Sequence, residues 1–170
     1  LLMGLLSYDL QSGSVRNGLL VLDTQRAPQW YFKRHLVPFG EYFPVPAKVR
    51  EWMRLSSLAF VDLQPGKEGQ PVPVAQGLPL AATICYEDAY GSDQLAPLTQ
   101  AKLLVNVTNN AWYGDSSASH QHLQISRMRA IEAGRYLVRA TSNGISVIVG
   151  PKGQVLARAP QFRPVVLRGE

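Results

Sequence analysis

Apolar residues in this chain fall in short blocks separated by glycine and proline, with no long continuous run. Residues 19–23, 80–85, 103–108, 145–150 and 155–157 are rich in Val, Ile and Leu and too uniformly apolar for strands with one wet face, so they are expected to be buried on both sides. Pro151-Lys152-Gly153 separates the last two and predicts a hairpin. The opening Leu1-Leu2-Met3-Gly4-Leu5-Leu6 reads as a core strand entered midway, and Val165-Val166-Leu167 as another strand-like run. With no initiator Met, the chain reads as a segment of a longer protein.

The pattern changes after Gly114-Asp115-Ser116. Over residues 120–136 the apolar and small positions Leu123, Ser126, Ala130, Ala133 and Leu137 recur at spacings of three and four, which predicts a helix packed closely on a sheet. A second helix is expected over residues 47–55, where Val49, Trp52 and Met53 share a face after Pro44-Val45-Pro46. Residues 64–77, rich in Gly, Pro and Gln, read as a surface excursion within one domain spanning 1–170. Strands alternating with helices, plus a hairpin, predict an α/β or α+β sandwich.

Composition narrows this picture. Among 170 residues, 46% hydrophobic and 17% charged is enough apolar material for a sizeable core. No stretch reaches the roughly 18 consecutive apolar residues of a membrane-spanning helix, and the first residues lack the basic flank and cleavage site of a signal peptide. The net charge of +5 favours anionic partners, but the basic residues are scattered and not interleaved with aromatics, so nucleic-acid binding is not expected. A single cysteine, Cys85, excludes an intrachain disulfide and a multi-cysteine zinc site.

Three clusters carry candidate chemistry. Cys85 ends the run Leu80-Ala81-Ala82-Thr83-Ile84 and is followed at once by Tyr86-Glu87-Asp88; it is either a small buried hydrophobe or a thiol exposed at a sheet edge. Lys33-Arg34-His35-Leu36-Val37-Pro38-Phe39-Gly40-Glu41-Tyr42 gathers a lysine, a histidine and a glutamate around a turn. Its lysine either lies solvated on the surface or activates a thiol and stabilises an oxyanion. In the third, Asn106-Val107-Thr108-Asn109-Asn110-Ala111-Trp112-Tyr113-Gly114-Asp115, amides at a strand end either hold loops or orient a substrate carbonyl. Trp112 and Tyr113 wall a pocket or fill the core. His120 and His122, two apart on a helix, point to different faces, so no metal site is expected. Ser116, Ser117 and Ser119 are explained by capping.

In order along the chain, these clusters resemble the carbon–nitrogen hydrolase, or nitrilase, superfamily, which uses a Glu, a Lys and a Cys. The Asn109-to-Asp115 block, His120-Gln121-His122, Arg127-Met128-Arg129-Ala130-Ile131-Glu132-Ala133-Gly134-Arg135 and Thr141-Ser142-Asn143-Gly144 resemble its apolipoprotein N-acyltransferase branch. The resemblance implies a four-layer α-β-β-α sandwich, incomplete on its N-terminal side. It implies Cys85 as a thioester-forming nucleophile, Lys33 as the oxyanion-stabilising cation, Glu41 as a carboxylate that orients the site, and Tyr86, Glu87 and Trp112 as supporting residues. It further implies a phospholipid acyl donor, an apolipoprotein bearing a diacylglyceryl-cysteine as acceptor, no cofactor, and a catalytic domain facing the periplasm from a bacterial inner membrane. Apolar residues between Phe43 and Phe60, including Trp52, Met53 and Leu58, are expected to shield the site or to meet lipid. The family's general-base glutamate precedes the lysine, whereas the carboxylates before Lys33 are Asp9 and Asp23, in stretches unlike that block. The base, like any membrane helix, is therefore expected outside this sequence, and the chain alone is expected to be inactive. The rival readings are a soluble amidase or nitrilase using the same residues, and a non-catalytic binding domain with an inert Cys85.

Overall fold

A computed structural model describes residues 1–46, 48–49, 51–52 and 62–169. Strands β1 (Leu2–Tyr8), β2 (Val15–Val21) and β3 (Gln29–Phe32) form an antiparallel three-stranded sheet in sequential order. Strands β4 (Val74–Ala75), β5 (Leu78–Ile84), β6 (Leu103–Thr108), β7 (Leu137–Thr141), β8 (Val147–Val149) and β9 (Val155–Arg158) form a second sheet, also in sequential order. Within it β5, β6 and β7 are parallel, and β4, β8 and β9 are antiparallel to their neighbours. Helix α1 (Leu95–Leu98) follows β5, and α2 (Ala118–Ala133) crosses from β6 to β7. Among the described residues no helix is long and apolar enough to cross a membrane.

The period-two alternation of a strand explains why the β5 and β6 blocks are apolar throughout. Leu80, Ala82, Ile84, Val105 and Val107 face the smaller sheet and bury against Leu19, Val21 and Tyr31. Their neighbours Ala81 and Leu104 face the other way, against Leu123 and Ala130 of α2. Sheet packs on sheet and α2 covers the outer face of the larger one. This is the expected sandwich; a helical layer over the smaller sheet is not among the described residues.

Several boundaries differ from expectation for local reasons. Gly134 adopts φ +59°, a left-handed helix stop that residues with a Cβ resist, so α2 ends at Ala133. Leu137 therefore belongs to β7, a strand the helical spacing had concealed. β1 is an edge strand, mostly exposed, and not a core strand. Residues 165–167 form no strand. The excursion at 64–77 contains β4, and its Gln70 side chain pairs with both the N–H (2.8 Å) and the C=O (2.7 Å) of Phe32, extending the edge of β3. The hairpin is present: Gly150 N–H bonds Gln154 C=O at 2.9 Å, with Gly153 at φ +75°. The helix expected over 47–55 falls largely outside the described residues, as do Met53 and Leu58.

Leu104 is 2% exposed, packed in the core between β6 and α2 with Leu123 and Ala130. Leu104→Ala should cost about 2–5 kcal/mol of stability, read as a lowered urea midpoint at unchanged slope.

Candidate active site

β5 stops at Ile84, so Cys85 lies just beyond the strand, as the first residue of a 3-10 turn over Cys85–Ala89. Its φ of +56° is in the left-handed region, uncommon for a residue with a side chain, and its side chain is partly exposed. A strained residue on a sharp turn after a strand is the backbone geometry that presents a nucleophile at a sheet edge. The Cys85 carbonyl is held from behind, accepting hydrogen bonds from Asn106 Nδ2 (3.0 Å) and His122 Nε2 (3.1 Å).

Lys33 follows β3 directly and is only 1% exposed, so the solvated reading of this lysine fails. Its Nζ donates to Glu41 Oε1 at 2.8 Å and Oε2 at 2.7 Å. Glu41 also accepts from Asn17 Nδ2 (2.9 Å) and the Val37 N–H (2.8 Å). A buried ammonium needs such a partner, because charge removed from water without one costs several kcal/mol. Glu41 thus neutralises Lys33 and fixes where its ammonium points, while Lys33 Nζ sits 5.2 Å from the centre of the Tyr86 ring.

Glu87, 2% exposed, joins the two clusters. One carboxylate oxygen accepts from the backbone N–H groups of Arg34 (2.5 Å) and His35 (3.1 Å), the other from the Ile84 N–H (2.8 Å) and the Tyr31 hydroxyl (3.2 Å). Burial pushes the Glu87 pKa above the usual carboxylate value, against the backbone N–H bonds and the Lys33 charge that pull it down. Tyr86 donates its hydroxyl to the Leu36 carbonyl at 2.9 Å, and burial raises its pKa. The Lys33 loop and the Cys85 turn are therefore fastened by two consecutive residues, Tyr86 and Glu87.

The amides of the third cluster serve the loops. Asn110, 1% exposed, accepts from Thr108 Oγ1 at 2.9 Å and packs so closely on Gly144 that a Cβ there would come within 2.6 Å of its Nδ2. Trp112 is 82% exposed, so it neither fills the core nor walls the pocket described below. Tyr113 has its pKa raised by burial and by the Cys85 charge. His120 is exposed and His122 buried, on opposite sides of α2. A cavity of about 460 Å³ adjoins the cluster, lined by Arg34, His35, Leu36, Tyr42, Tyr86 and Tyr90 among others.

The sequence reading passed over a buried polar group behind Cys85. Asp88, fully buried, accepts from His122 Nε2 (3.0 Å), Ser126 Oγ (2.5 Å) and Arg139 Nη1 (3.4 Å). Burial lowers the Arg139 pKa, and the charges of Asp88 and Cys85 oppose that shift. The available signal was the register of charged types inside apolar blocks: Arg139 interrupts Leu137-Val138 and Ala140, where a solvated residue has no outlet.

Lys33, ion-paired with Glu41, and Cys85, on its strained turn, thus belong to one sandwich. The carbon-nitrogen hydrolase family model matches residues 1–169. The chain belongs to the carbon-nitrogen hydrolase family. It is 43% identical over 168 residues to an apolipoprotein N-acyltransferase of Methylococcus capsulatus, covering 99% of this chain and 33% of that protein. It is 38% identical over 170 residues to one of Coxiella burnetii, covering 100% of this chain and 35% of that protein. The chain thus spans about a third of the length of these relatives. Among solved structures it resembles a carbon-nitrogen hydrolase from Helicobacter pylori G27, with a TM-score of 0.71 at 17% identity over 98% of this chain and 59% of that one. A carbon-nitrogen hydrolase superfamily protein from Xanthomonas campestris matches with a TM-score of 0.69 at 19% identity, over 98% and 60%. Both establish the nitrilase-like fold.

A glutamine at position 87 has one carbonyl oxygen and would set an N–H against the donors that Glu87 now satisfies. Glu87→Gln should lose about 1–3 kcal/mol of stability by thermal unfolding, and slow modification of Cys85 by iodoacetamide.

Proposed function

We propose that this chain is part of the catalytic domain of an apolipoprotein N-acyltransferase, which moves an acyl chain from a phospholipid to the amino terminus of a diacylglyceryl-cysteine apolipoprotein. The observation that carries this reading is the 43% identity to a protein of that name across 99% of the chain. In this reading the Cys85 thiolate attacks the ester carbonyl carbon of the phospholipid, the lysophospholipid leaves as an alcohol after taking a proton, and a thioester remains. The amine then attacks the thioester carbonyl, the amide forms, and the thiol is regenerated. Lys33, aimed by Glu41, donates to the oxyanion of each tetrahedral intermediate.

The thiol gives up its proton to a general base. Asp9 and Asp23 have other tasks: Asp9 accepts from the Gln11 and Ser12 N–H groups, and Asp23 from those of Gln25 and Gln76. The exposed rings of Phe39 and Trp52 supply apolar surface for lipid, in keeping with a catalytic domain on the periplasmic face of a bacterial inner membrane.

Intact-mass analysis of the whole protein, purified from membranes beside its Cys85→Ala variant, tests this. Wild type should carry the added mass of a fatty acyl group, discharged by a lipopeptide amine, and Cys85→Ala should carry none. Turnover of a small amide by a protein that never acquires acyl mass would replace the acyltransferase by a hydrolase.

A further inference from the structure

Behind the nucleophile lies polar machinery that the proposed chemistry does not use. The Cys85 carbonyl accepts from Asn106 on β6 and from His122 on α2, so two elements of the larger layer converge on one oxygen. His122 Nε2 is also 3.0 Å from Asp88 Oδ1. A carbonyl and a carboxylate oxygen in these bonds both accept, so Nε2 must carry the proton and share it between them. Asp88 is in turn held by Ser126 Oγ and Arg139 Nη1, and the latter also donates to the His122 carbonyl at 3.2 Å. The imidazole is thus fixed on its ring and on its backbone.

We propose that His122 is a positioning residue for the nucleophile, its Nε2–H, oriented by Asp88, gripping the Cys85 carbonyl and holding that residue at positive φ. Left-handed backbone is unfavourable for a residue with a Cβ and persists only where its surroundings over-determine it. Ile84, one residue earlier, has the extended dihedrals of β5, φ −121° and ψ 122°. With the Asn106 donor alone left on its carbonyl, Cys85 shifts toward that extended conformation and its thiol is less often presented at the strand-end turn. The role rests on the proposed use of Cys85 as a nucleophile, but its test does not require an acyl donor.

The test follows Cys85 modification by iodoacetamide in the intact, detergent-solubilised protein, read on the Cys85 peptide by mass spectrometry. His122→Phe keeps a ring and removes the donor; the rate should fall about tenfold, the scale of one lost buried hydrogen bond. His122→Gln restores a donor of similar reach and should return the rate to within about threefold of wild type. Gln124→Ala, on the exposed side of the same helix where Gln124 bonds Arg127, should leave the rate unchanged. A wild-type rate in folded His122→Phe, or an equal fall in Gln124→Ala, would overturn the proposal. Should His122→Phe fail to fold, His122→Gln decides: a near-wild-type rate upholds it, and a tenfold loss in the folded variant overturns it. Absence of acyl transfer alongside the expected alkylation pattern would remove the functional reading and leave the positioning role standing.

Discussion

The buried carboxylate of Glu87 is the joint on which the site depends. A carboxylate in the interior is tolerated only when donors surround it, and here the donors come from places far apart in sequence: Tyr31, Arg34 and His35 at the end of the smaller sheet, and Ile84 at the end of the larger one. Apolar contacts between the sheets bring these strand ends near each other but do not fix their separation. Hydrogen bonds to one carboxylate do, because their distances and angles are narrow. Lys33 immediately precedes the segment so fastened, and Cys85 sits between Ile84 and the carboxylate itself.

Two glutamates therefore divide the work. Glu41 partners a charge, and its proximity to Lys33 sets where a cation is available. Glu87 partners backbone, and burial shifts its pKa upward even as N–H donors counter it. Cys85 receives comparable treatment on its carbonyl side. Cys85 is thus bounded by buried polar groups in front and behind, which hydrogen-bond to elements of the sandwich.

How much of this was legible in the sequence depended on whether one physical cause dominated locally. β6 was placed at 103–108 because burial on both faces leaves an unbroken apolar block. β7 was missed because Leu137 continues the helical spacing of α2, and only the left-handed Gly134 breaks it. β3 was missed because Gln29-Trp30-Tyr31-Phe32 is short and aromatic, and its edge is completed by a side chain, Gln70, from distant sequence. Lys33, Glu41 and Cys85 were identifiable as residues, but the burial of Lys33 was not, since its partner lies across a turn whose shape is tertiary. Asp88 and His122 were hidden for the same reason, each looking like a surface residue until its partners are in place, whereas Arg139 stood out only as a charge inside an apolar block. Trp112 is a large aromatic that the fold leaves outside the core, which its residue type alone did not show.

The parallel arrangement of β5, β6 and β7 has a consequence for how such a protein can diversify. Parallel strands end on the same side, so the Cys85 turn, the 109–115 loop and the 142–144 loop rise from one rim of the sheet. The alignment of those strands is maintained by alternating side chains below the rim, which insertions or exchanges in the loops do not disturb. Selection can therefore reshape this rim, loop by loop or in packed pairs such as Asn110 and Gly144, while the hydrogen-bonded sheet beneath it is inherited unchanged.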